Sequence, residues 1–138
     1  MSVAERDPSS ELTCASRLST TSTMRNWWTC SGTTRVDNTV YLAGALGAES
    51  DGSLAPDVRV QTRRAFEKLA TIMQEAGGSL TDIVKLTVFI TDMRLRDGYG
   101  EVRAHFFPHD PPASTLVQVV ALADPAALIE IEGVAVLE

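Results

Sequence analysis

Cysteine is scarce in this chain. Only Cys14 and Cys30 occur among 138 residues, too few for a disulfide framework, and a bridge between that one pair is disfavoured in a reducing compartment. Long hydrophobic runs are missing too. No stretch reaches the roughly 18 apolar residues that a membrane span needs. Residues 1–23 hold no apolar h-region, so they do not read as a signal peptide. The cytoplasm is then the default location. Positive charge is outnumbered: 12 Lys and Arg against 18 Asp and Glu give a net charge of −6, which repels a nucleic-acid backbone or an anionic membrane on average. There is no basic run, and Arg63-Arg64 lies within a helical pattern as a solvated face. No G-x-S-x-G elbow is present. Gly44-Ala45-Leu46-Gly47 lacks the Lys and Ser/Thr that a phosphate loop requires.

What is present amounts to one domain. Residues 1–23 are rich in Ser and Thr and carry no apolar period, so they read as a flexible N-terminal extension. Residues 24–138 form the single domain. Thr33–Val36 and Thr39–Ala43 read as a hairpin turning at Asp37-Asn38, and Gly44–Ala55 reads as a loop. Asp57 is the expected N-cap of a helix. From Val58 to Ala76 the residues Ala65, Phe66, Leu69, Ile72 and Met73 recur at helical spacing, and Gly77-Gly78 stops the helix after about five turns.

Ser79–Asp82 reads as a capping box. A strand follows over Val84–Ile90, with Val84, Leu86, Val88 and Ile90 on one face. A second helix fits Leu95–Phe107, packing through Tyr99, Val102, Phe106 and Phe107 and ended by Pro108. Two further strands fit Thr115–Leu122 and Leu128–Leu137, joined at Ala123-Asp124-Pro125. The order is ββαβαββ: an α+β fold, a mixed sheet with two helices on one face. Thr115–Leu122 is apolar on both faces, as a strand buried on both sides would be. Two helices cover one face only, so a second copy of the chain is expected on the other.

Several residues could carry chemistry. Glu130 and Glu132 lie two apart on a strand and project to one face, with Leu128, Val134 and Val136. A carboxylate on such a face is costly unless paired or functional, and burial would raise its pKa toward the range of a general acid or base. The structural alternative is a carboxylate satisfied by backbone N–H groups or an Arg. Ser114 and Thr115 open a strand, and their hydroxyls could orient a water or a carbonyl; a plain loop-to-strand junction explains them as well. His105 and His109 are four apart, but Pro108 breaks the helix between them, so no metal site is expected. Of Trp27 and Trp28, only one need belong to the core, and the other could line a pocket or a subunit contact. Cys30 has no visible activating partner and reads as a small buried residue.

Five stretches, in order and at compatible spacing, resemble the Rid (reactive-intermediate deaminase, YjgF-like) family. They are Asn38–Gly44, Gln61–Phe66, Ala76–Lys85, Pro112–Thr115 and Ile129–Glu132. The resemblance spans about Thr33 to Leu137. It implies a chorismate-mutase-like fold, a homotrimer, and ligand pockets between subunits, with a small-molecule substrate and no cofactor. It also implies a reaction, hydrolysis of a reactive enamine or imine to a carbonyl compound and ammonia.

Carried onto this chain, the resemblance gives Glu130 as the residue that holds or activates water. The arginine that clamps the substrate carboxylate in active members is replaced by Ser114. Cys30, Ala43 and Gly44 fall at pocket positions, and Trp28 and Thr115 join them as candidate substrate contacts. A serine cannot reproduce the planar, two-pronged donor set of arginine. Losing such a charge contact costs about 2–5 kcal/mol, so weak activity on α-imino acids is expected. Arg25 and Arg35 are nearby cations, but nothing in the sequence ties either to the pocket. The leading expectation is an imine or enamine hydrolase using Glu130 and Ser114. A non-catalytic binding or regulatory trimer is the alternative. Ribonuclease activity, attributed to some members, is disfavoured by the acidic balance.

Overall fold

A computed structural model describes residues 32–138 of the chain. Strands β1 (Thr33–Val36) and β2 (Thr39–Leu46) form a hairpin. Its two-residue turn is Asp37-Asn38, with Asp37 in the left-handed region at φ 52°, as tight hairpin turns require. Helix α1 (Val58–Glu75) starts at Asp57, whose carboxylate accepts from the Arg59 N–H at 2.8 Å. It ends where Gly77 takes φ 90° and the Gly78 N–H reaches back to the Met73 carbonyl at 2.8 Å, a Schellman closure. Strand β3 (Ile83–Ile90), helix α2 (Arg96–Phe106), β4 (Ala113–Gln118) and β5 (Ile129–Val136) complete the chain.

The strands make one sheet in the order β1-β2-β5-β3-β4. Only β3–β4 is parallel, because α2 carries the chain back across the sheet between them. Both helices lie on one face, giving the two-layer α+β architecture expected from the element order. The core sits between the layers. Val40, Leu42, Leu86, Val88, Ile90, Ile129 and Ile131 meet Phe66, Leu69 and Met73 of α1, all buried. Phe66 is central, with its ring centroid 5.2 Å from Phe106 and 5.4 Å from Phe107. Burying each such side chain stabilises by about 1.5–3 kcal/mol.

Gln61 is the polar exception on α1. It is fully buried yet fully engaged: Nε2 donates to the carbonyls of Ala55 (2.7 Å) and Ala126 (3.0 Å), and Oε1 accepts from the Leu128 N–H (2.8 Å). Those bonds fix the start of β5, and hence the position of Glu130, against α1.

Three details differ from the sequence reading. Strand β2 runs past Ala43 to Leu46, although Gly44–Ala55 reads as a loop. It does so through an irregularity between Leu42 and Ala45 in its pairing with β5. Val84 does not share the face of Leu86, Val88 and Ile90: Ile83 is buried and Val84 exposed. The register shifts between Ile83 and Lys85, and a bulge there breaks the simple alternation. Finally, the strand expected over Thr115–Leu122 ends at Gln118 and is not buried on both sides. It is an edge strand on which Leu116 alone is half-buried, and Val120 beyond it is fully exposed. Apolar content indicates burial, but it does not say whether the covering surface lies in the same chain.

Candidate functional site

The face of the sheet away from the helices is set by alternation. On β5, Ile129, Ile131 and Ala135 point into the core, while Glu130, Glu132, Val134 and Val136 point outward, as the spacing of the two glutamates requires. On β3, Leu86, Val88 and Ile90 are core residues, so Lys85, Thr87 and Phe89 share the outer face with the glutamates. Register places Glu130 between Leu46 and Phe89, and Glu132 beside Thr87.

Glu130 is half-buried and lies over Gly44. A β-carbon on Gly44 would overlap Glu130 Oε1 and stand 2.9 Å from its Cδ. This explains glycine at that position: the side-chain volume is occupied by a carboxylate from the next strand. No described residue hydrogen-bonds the Glu130 carboxylate. Burial, above all, raises its pKa; the charge on Glu132 adds to the rise and Lys68 offsets part of it. A half-buried carboxyl group with a raised pKa and no fixed partner can exchange a proton with a neighbouring water. Ala43 precedes this contact, with its N–H bonded to the Gly32 carbonyl at 3.0 Å.

Ser114 and Thr115 separate. Thr115 faces outward, accepting a hydrogen bond from Lys85 Nζ at 2.6 Å. Ser114 alternates with it and shares the face of Leu116, which packs on the core from the helix side. There it neighbours Tyr99, whose hydroxyl is buried without a well-formed hydrogen bond among the described residues. Burial pushes the Tyr99 hydroxyl pKa up, partly offset by Ser114 and by the charge of Arg103. Arg103 Nη2 in turn donates to the Pro112 carbonyl at 3.0 Å. Within one chain, therefore, Glu130 meets Gly44 but does not meet Ser114: strand β3 separates them and they face opposite sides. Cys30 and Trp28 lie outside the described residues. Arg35 is turned to its own hairpin, donating to the Asp37 carbonyl at 2.8 Å.

The sequence reading passed over Lys85 and Tyr41. Together with Thr87, Glu132 and Val134 they line a depression of about 170 Å³ above the Leu42–Gly133 pair. The signal was available: Lys85, Thr87 and Phe89 alternate with Leu86, Val88 and Ile90. Among the described residues, no three His, Cys, Asp or Glu side chains converge as metal ligands, and no helix is long and apolar enough to cross a membrane.

Comparison with known proteins agrees with this fold. The sequence model of the family described as endoribonuclease L-PSP matches residues 21–137. The structure of RidA from an Antarctic Psychrobacter species is similar at 34% identity and a TM-score of 0.73, with 76% of this chain and 85% of that chain covered. A member of the highly conserved YjgF/YER057c/UK114 family from Mycobacterium tuberculosis is 31% identical, with a TM-score of 0.70 over 76% of this chain and 84% of that one. Yeast Mmf1 is 27% identical, with a TM-score of 0.72 and coverage of 77% and 85%. The chain belongs to the endoribonuclease L-PSP (YjgF/Rid) family.

Proposed function

We propose that this member of the family is a hydrolase of an imine, enamine or related reactive intermediate, with Glu130 as its acid/base residue. The observation that carries the reading is the Glu130 carboxylate seated over Gly44, half-buried and with no hydrogen-bond partner among the described residues. In the proposed step, water adds to the carbon of the C=N bond while Glu130 accepts its proton. Glu130 returns that proton to nitrogen, giving a carbinolamine. It then takes the hydroxyl proton and passes it to nitrogen as the C=O bond forms and the C–N bond breaks, so the products are a carbonyl compound and ammonia; an enamine enters the same path after tautomerising to the imine. A raised carboxyl pKa suits both halves of that cycle.

The site is completed by a second copy of the chain in a homotrimer. Glu130 and Ser114 cannot converge within one protomer, and β4 offers an exposed edge bearing Ser114 and Thr115. An edge strand with half-exposed apolar residues such as Val117 calls for a cover. The hydroxyls on that edge, Ser114 on one side of β4 and Thr115 on the other, are the candidate donors to the substrate or its water, with Ala43 beside Gly44 at the Glu130 end. Because position 114 lacks a guanidinium, turnover of α-imino acids is weak and neutral or differently anchored imines are preferred.

A second reading is a non-catalytic small-molecule-binding trimer, favoured by the same separation of Ser114 from Glu130. Ammonia release from carboxylated and neutral imines, compared between the wild type and Glu130→Gln, separates the two. Turnover lost with the substitution supports the enzyme. Ligand-raised melting temperature with no Glu130-dependent turnover supports the binder.

A further inference from the structure

We infer that Tyr99 is a positioning residue for Ser114. It is the middle of a one-way donor chain that runs from Arg103 through the Tyr99 hydroxyl to the Ser114 hydroxyl and turns the Ser114 O–H toward the substrate. The inference rests on the reading of Ser114 as a donor in the pocket, and it names what sets that donor's direction.

The three side chains meet on the helix side of β4, not on the face of the sheet that a second copy covers. Tyr99 and Arg103 are four apart on α2, so they are neighbours along one helix face. Arg103 Nη2 donates to the Pro112 carbonyl at 3.0 Å, which holds α2 against the entry of β4, two residues before Ser114. Tyr99 is only 5% exposed, with its ring centroid 6.4 Å from that of Phe66. The Tyr99 hydroxyl and Arg103 Nε are both buried without a hydrogen-bond partner among the described residues, and Arg103 forms no ion pair among them. Buried polar groups are nearly always satisfied. Two orphans on adjacent side chains call for a common explanation.

Donor chemistry supplies it. A guanidinium donates and never accepts. Arg103 Nε–H therefore needs an oxygen, and the Tyr99 hydroxyl beside it is one. A phenol that accepts there still has its own proton to give. Ser114 is the neighbour of that hydroxyl on β4, so the Tyr99 O–H donates to Ser114 Oγ. The serine proton is then left to point outward, where Ser114 is exposed at the strand edge. A free serine hydroxyl rotates between donating and accepting. A chain that begins at arginine cannot reverse, so it ends on a fixed donor, suited to an acceptor such as the oxygen that becomes the product carbonyl. Burial, above all, keeps the Tyr99 phenol neutral and so in possession of its proton; Ser114 and the charge of Arg103 offset part of that rise. Within one chain the Tyr99 hydroxyl lacks a well-formed bond, and packing of the second copy on β4 closes the chain.

The test uses the full-length, assembled protein. Tyrosine occurs only as Tyr41 and Tyr99, so isotope-labelled tyrosine gives two ring signals by NMR, and Tyr41→Phe or Tyr99→Phe assigns them. Ser114→Ala and Arg103→Met should each shift the Tyr99 signal and leave that of Tyr41 in place. With a neutral imine, Tyr99→Phe should lower kcat/KM by about fivefold, the worth of one hydrogen bond, and keep its assembly because the ring packing on Phe66 remains. Ser114→Ala should lose about as much, and the double variant no more than Ser114→Ala alone. A Tyr99 signal unmoved by Ser114→Ala, losses that add in the double variant, or wild-type turnover in Tyr99→Phe would overturn the proposal. If Tyr99→Phe fails to assemble, the Tyr99 signal in the other two variants decides. Absence of Glu130-dependent turnover in the wild type ends the hydrolase reading by itself. The donor chain is then judged on the Tyr99 signal: moved by both variants it stands, unmoved it falls.

Discussion

The Glu130 carboxylate fills the space that a side chain on Gly44 would need. Two strands thus share one side-chain volume, with the functional group on β5 and the vacancy supplied by β2. Replacing Gly44 by Ala forces that carboxylate to move. The cost of such overpacking is about 1–3 kcal/mol, and the displaced carboxylate loses its position. Gly44→Ala is expected to fold with a lowered melting temperature and to lose most Glu130-dependent turnover. Thermal unfolding and steady-state kinetics on the same preparation check both.

A second prediction concerns pH. Burial and the neighbouring Glu132 raise the Glu130 pKa above its ordinary value of 4.5. The folded state thus favours the protonated form more than the unfolded chain does. The stability this contributes is fully present below the unfolded pKa and is lost as pH rises through the folded pKa. Glu130→Gln removes the titration. Its melting temperature should match the wild type near pH 4 and exceed it increasingly as pH rises toward about 7, beyond the ordinary carboxylate range. A difference that is constant with pH would assign the change to packing alone. Glu132→Gln should shrink the effect, because it removes the charge that adds to the rise.

Position 114 gives a prediction of specificity. Ser114 stands on an exposed edge strand, so a longer side chain can extend there without displacing core. Ser114→Arg supplies the two-pronged donor set that binds a carboxylate. We expect kcat/KM for a carboxylated imine to rise about tenfold or more relative to a neutral one. An unchanged ratio would mean that residue 114 does not reach the substrate.

The core prediction is simpler. Phe66 is fully buried and touches Tyr99, Phe106 and Phe107. Phe66→Ala leaves a cavity at the junction of both helices and should destabilise by about 3–5 kcal/mol. Urea denaturation measures it.

Local chemistry made much of this fold legible. Asp57, the 3.6-residue spacing through Phe66 and Leu69, and Gly77 announce α1 within a residue of its observed ends, because caps and periodicity act over a few positions. The outward face of Glu130 and Glu132 follows from strand alternation alone. The rest depends on pairing. The bulge at Val84 reflects how β3 meets β5, and the edge position of β4 reflects a strand order that the chain order does not dictate. For the same reason, sequence proximity to family motifs could nominate both Ser114 and Glu130 but could not show that they face opposite sides of one sheet. Lys85 was read only as a member of its strand. Its meaning comes from Glu132 and Thr115, which lie 47 and 30 positions away in the sequence.

The central claim is that Glu130 performs acid/base chemistry on an imine. The direct measurement is ammonia release from a neutral imine by wild type and Glu130→Gln. General acid/base catalysis contributes typically 10²- to 10⁴-fold, so the substitution should lower kcat by at least about 10²-fold with the fold and assembly intact. Equal release by both proteins, at the rate of buffer alone, would contradict the account.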